Sequence, residues 1–139
     1  MLRAPIALPS ALLLATGLSF GDDLTGADRL LCSAAQVAAC TDDGECARGA
    51  PWELNVPHFI EVDLQKRLMS ATKASGQNRV TEIKNLERSN GLIVAQGIEN
   101  GRAFSFVIVE KTGMATVAVA ADGRTVAVFG ACTPAPAPR

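Results

Sequence analysis

The chain contains no tyrosine, one tryptophan and one histidine, and aromatic residues make up only 4% of it. Surfaces that grip sugars or single-stranded nucleic acid rely on stacked rings, so this scarcity argues against both. Charge of one sign is also missing, since 13 basic residues face 14 acidic ones. That balance removes the electrostatic footprint expected of a nucleic-acid partner or an anionic membrane surface. After the first twenty or so residues no apolar run approaches the length of a bilayer-crossing helix, so the mature chain is expected to have no membrane span.

Chemistry-bearing constellations are equally sparse. The solitary His58 follows Pro57 at the head of an alternating segment. A general base needs an orienting carboxylate and a nucleophile within reach, and no spacing here sets a serine or cysteine beside it. His58 therefore reads as an ordinary strand-entry residue. The acidic group Asp42, Asp43 and Glu45 lies in TDDGEC, which lacks both the roughly twelve-residue length and the helical flanks of a calcium loop of the EF-hand type. It reads as a solvated turn. Cysteine-based zinc sites use closely paired ligands such as Cys-x-x-Cys, a spacing absent here. No catalytic residue, metal site or cofactor is expected, and the chain does not read as an enzyme.

What is present begins with the N-terminus. Met1 and Arg3 give a positive start, Ala4 to Phe20 carries no charge, and Ser19 and Gly21 are small residues just before Asp22. This is the layout of a secretory signal peptide over 1–21. A buried N-terminal helix is the competing reading, but Pro5, Pro9 and Gly17 suit it poorly. Removal of 1–21 takes away only Arg3 among the charged residues, leaving a mildly acidic protein expected to be periplasmic or secreted.

From Gly91 to Cys132 the sequence becomes a succession of apolar runs rich in Val, Ile, Phe and Thr, cut by Asn100-Gly101, Thr112-Gly113 and Asp122-Gly123. Such pairs supply the positive φ of tight hairpins, so the flanking runs are antiparallel neighbours. Upstream, His58 to Leu64 alternates as a half-buried strand, Arg67 to Ala71 is its return, and Arg79 to Leu86 is a more polar strand. Leu30 to Cys40 suits either helix or strand, and its first half favours a strand. Asp22 to Asp28 reads as a loose leader, and Trp52, between two prolines, as a plug for one barrel end. The expected fold is all-β: a single small antiparallel barrel or strongly rolled meander of about seven to eight strands over 22–132, followed by a disordered Pro/Ala tail over 133–139.

In the meander Phe104, Phe106 and Ile108 face one way and Val107 and Val109 the other. Both faces are apolar, whereas a sheet with one wet face shows polar alternation. Either something covers the second face or that face binds something. Arg102 and Arg124 sit at hairpin tips, where a guanidinium can hold an anion or a carboxylate. Phe104, Phe106, Ile108, Arg102 and Arg124 together form the candidate binding surface.

The four cysteines suit two disulfides in an oxidising compartment. Of three possible pairings, Cys40 with Cys46 closes the polar loop, and Cys32 with Cys132 ties the first strand to the last. The other two pairings remain open at this point. Closing so long a loop is worth about 4 to 5 kcal/mol in the chain-entropy model.

The segments CSAAQVAACTDDGEC, FIEVDLQKRL, GLIVAQGIENGRAFSFVIVEKTG and FGACTP resemble small uncharacterised exported β-rich proteins of proteobacteria, over most of the chain after residue 21. The resemblance implies a secreted β domain and transfers no functional residue. The functional expectation is a non-catalytic module that binds a small apolar ligand or docks on an envelope protein. An inhibitor or modulator of a secreted or periplasmic enzyme is the alternative.

Overall fold

The computed structural model describes residues 21–136. The signal-peptide reading over 1–21 falls, apart from Gly21, outside the described residues, as does the end of the tail at 137–139.

Ten strands follow one another: β1 (Arg29–Thr41), β2 (Cys46–Gly49), β3 (Phe59–Asp63), β4 (Leu68–Ala71), β5 (Val80–Glu82), β6 (Asn85–Ser89), β7 (Leu92–Glu99), β8 (Arg102–Val109), β9 (Met114–Ala121) and β10 (Arg124–Pro134). Short 3-10 turns occupy Pro51–Leu54 and Lys73–Ser75. Nine strands form one antiparallel sheet in the order β5-β4-β3-β1-β10-β9-β8-β7-β6, and β2 pairs with the far half of β1. The sheet rolls into a half-barrel. The all-β expectation holds, with a strand count slightly above the expected seven or eight.

The hairpins arise as the sequence dictates. Asn90 and Gly91 have φ of 52° and 75°, and Asn100 and Gly101 have 48° and 73°, the paired positive values that a two-residue turn needs to match strand twist. The ambiguous segment after Arg29 is strand throughout, because β1 lies at mid-sheet and pairs with β10 from Leu30 opposite Pro134 to Thr41 opposite Arg124. This pairing holds Thr133 and Pro134 in β10 and so shortens the expected disordered tail. One irregularity interrupts it between Ala34 and Gln36.

The expected single strand over Arg79 to Leu86 is divided, since β5 closes one end of the sheet and β6 the other. Ile83 and Lys84 carry the chain across, with the Lys84 amide donating to the Gln96 carbonyl at 2.8 Å. The two ends meet at Gly97. A Cβ there would stand 2.7 Å from the Glu82 carbonyl oxygen and 2.5 Å from the Phe104 ring, so only glycine lets β5 come this close to β7.

Both disulfides join residues directly opposed on neighbouring strands: Cys32 with Cys132 across β1 and β10, and Cys40 with Cys46 across β1 and β2. The chosen pairing is the one found. Its setting differs from that expected, because the first and last strands meet in the middle of the sheet rather than at its seam.

The concave face holds the core. At the end of the half-barrel where β8 passes into β9, Leu24, Leu30, Ile83, Ile93 and Ile108 are each at most 1% exposed. Leu24 belongs to the segment expected to be a loose leader. That segment is fastened: the Asp22 amide donates to the Cys132 carbonyl and the Leu24 amide to the Glu110 carbonyl, at 3.3 and 2.7 Å. Arg88 completes the clamp, donating to the carbonyls of Ala27 and Leu24 and to Glu110, each at 2.9 Å.

Candidate functional site

Above this packed end the concave face opens into a cavity of about 230 Å³. Its walls are the inward rows of the sheet: Phe104 and Phe106 on β8, Val117 and Val119 on β9, Val126 and Val128 on β10. Period-two alternation puts these residues on one face. The two phenyl rings meet edge to face at 5.9 Å and 89°. Leu54, Val56 and Pro57, in the connector after β2, form part of the cover.

At the mouth the inward rows change character in a single step. On β7 the row ends at Glu99, and on β8 it begins at Arg102 opposite Glu99. On β9 it ends at Ala121, and on β10 it begins at Arg124 opposite Ala121. Arg79, just before β5, reaches across the seam, its Nε and Nη2 donating to the two carboxylate oxygens of Glu99 at 3.2 and 2.6 Å. Arg102 stands 3.6 Å from the same carboxylate, and Arg124 makes no ion pair among the described residues. Two guanidiniums thus share one carboxylate and a third stands beside them without one, so the mouth carries a local positive excess.

The Arg79 hydrogen bonds hold the Glu99 carboxyl below the ordinary carboxylate value against the opposing effect of desolvation. A hydrogen bond from Thr81 and the charges of Arg79 and Arg102 act in the same direction. Glu99 is therefore ionised at neutral pH and available to orient the arginines.

The candidate surface read from the sequence divides. Phe104, Phe106, Arg102 and Arg124 all line the cavity, whereas Ile108 is 1% exposed and belongs to the packed floor. Sequence reading did not find Arg79, Glu99 and Thr81. Glu99 shares the inward parity of Ile93 and Ala95, a signal that was present. Arg79 lies 20 residues away in a different hairpin, and only the meeting of the sheet ends brings it there.

The opposite, convex face stays open. Val107, Val109, Met114 and Phe129 are exposed. Trp52 does not plug the barrel: it is 70% exposed, because it points away from the inward Leu54 on its short turn. Its indole lies parallel to the His58 ring at 6.1 Å, and His58 in turn tilts against Phe59 at 4.5 Å.

The loop after β1 is braced by hydrogen bonds. Asp43 accepts from the Thr41 hydroxyl and the Glu45 amide at 2.5 and 3.0 Å, which lowers the Asp43 pKa. The Asp42 amide donates to the Gly123 carbonyl at 3.0 Å, joining this loop to the β9–β10 turn. No three histidine, cysteine, aspartate or glutamate side chains come together as a metal-binding group among the described residues. No helix among them is long and apolar enough to cross a membrane.

The fold and site define a disulfide-tied β half-barrel with an apolar hollow and a cationic mouth. Comparison with protein-family models, with curated proteins and with solved structures finds no match for the chain.

Proposed function

We propose that this is an exported, non-catalytic binding module whose ligand is a small apolar molecule held in the hollow of the half-barrel. The observation that carries this reading is the 230 Å³ cavity itself, walled by aliphatic and phenyl side chains. A well-formed apolar pocket with a few convergent polar groups is the usual form of a small-molecule site, and collapsed cores leave no comparable space. Export accords with two disulfides, which persist in oxidising compartments.

The neutral dye N-phenylnaphthylamine tests this directly. It should bind the purified protein with enhanced fluorescence, and Val117→Phe or Val119→Phe, each placing a ring inside the cavity, should abolish the signal. Full binding by both variants at unchanged melting temperature would refute the reading.

A second reading, modulation of a secreted or periplasmic enzyme, draws on the braced Thr41–Glu45 loop and its bond to the β9–β10 turn. Rigid loops lower the ordering cost of binding. Docking on an envelope protein would instead use the convex face around Phe129 and Val107.

A further inference from the structure

Resting on the cavity reading above, we infer that the ligand is a single-chain amphiphile with one anionic head, of the medium-chain carboxylate class. Its head lies over Ala121 between Arg102 and Arg124, and its chain runs down into the hollow.

Sheet register makes the seat. Ala103 pairs with Ala120, which brings Ala121 level with Arg102, and Ala121 itself pairs with Arg124. The mouth therefore reads Glu99, Arg102, Ala121, Arg124 across four adjacent strands. The two arginines stand two strand spacings apart, roughly 10 Å between backbones. The small Ala121 side chain between them leaves room for a head group within reach of both long side chains. Guanidinium forks match the planar carboxylate and give charge-assisted hydrogen bonds.

The arginines have capacity to spare. Glu99 already accepts from Nε and Nη2 of Arg79, Arg102 shares it at the longer distance of 3.6 Å, and Arg124 has no ion-pair partner among the described residues. Arg88 at the floor shows what a fully used arginine looks like, with Glu110 and two carbonyls at 2.9 Å. Immediately behind the seat the wall becomes apolar with Val119, Val126 and Phe104, so one ligand must satisfy both a cationic rim and a hydrocarbon interior. The cavity of 230 Å³ has room for about seven or eight waters at ~30 Å³ each. That suits one chain of moderate length better than the paired chains of a bilayer lipid.

Displacement of N-phenylnaphthylamine by decanoate, decanol and decylammonium at neutral pH tests the inference. Decanoate should compete best, exceeding decanol by roughly two- to fivefold, the scale of a half-exposed ion pair, and decylammonium should compete least. Arg124→Gln should erase the preference for decanoate while leaving decanol affinity and melting temperature unchanged. Ala121→Glu, which puts a carboxylate in the seat, should exclude decanoate and spare decanol. If wild type takes decanol and decanoate equally, the head-group assignment is wrong although the cavity reading stands. If the dye fails to bind at all, the cavity reading falls and takes the assignment with it.

Discussion

The two ends of the half-barrel are built from the same strands yet do opposite things. At the floor Leu24, Ile93 and Ile108 fill the space between the strands, and Arg88 donates to Glu110 and to two backbone carbonyls. At the mouth the inward rows run out into Arg102 and Arg124, the single carboxylate of Glu99 pairs with Arg79 and Arg102, and a hollow lies beneath them. Polar groups are thus satisfied within the protein at the floor and in excess at the mouth, where the proposed ligand would bind. A polar network completed internally rigidifies a fold, while solvent-facing arginines keep donors free for water or a ligand.

The comparison can be broken by perturbing the floor. Replacing both Cys32 and Cys132 with serine should have the largest effect, about 4 to 5 kcal/mol of unfolding free energy in the chain-entropy model, because the bridge spans a separation of 100 residues. The same exchange at Cys40 and Cys46, separated by 6 residues, should cost only about 2 kcal/mol. Denaturant titrations of the two double variants would show the difference, and equal losses would contradict it.

Next in size is Leu24→Ala, which removes a fully buried side chain and should cost about 2 to 4 kcal/mol. Dye binding at the mouth should survive at concentrations where the variant remains folded. Arg124→Gln marks the small end of the scale: its stability should stay within about 0.5 kcal/mol of wild type, although its ligand preference changes. A large stability loss there would mean that the mouth is structural after all.

The sequence made much of this visible. Asn-Gly pairs announced the hairpins, alternation separated Phe104 and Phe106 from Val107 and Val109, and the cysteine pairing preferred among three is the one formed. These are signals of local spacing, or of covalent links few enough to enumerate. What escaped depends on approach between distant segments. Leu24 is the one large apolar residue in a polar stretch, and its burial comes from the carbonyl of Glu110 and the clamp of Arg88. The break between β5 and β6 follows from the sheet rolling until Gly97 meets Glu82. Arg79 and Glu99 come together for the same reason. Trp52 misled because a large aromatic suggests burial, whereas the short turn that carries it directs Leu54 inward and the indole out.

Methyl NMR of the protein with N-phenylnaphthylamine added would test the central claim most directly, because valines report separately from the two faces of the sheet, inward on β9 and β10 and outward on β8. The account predicts shifts and dye contacts at Val117, Val119, Val126 and Val128, with Val107 and Val109 unmoved. Shifts confined to Val107, Val109 and the surroundings of Phe129 would place binding on the convex face and contradict it.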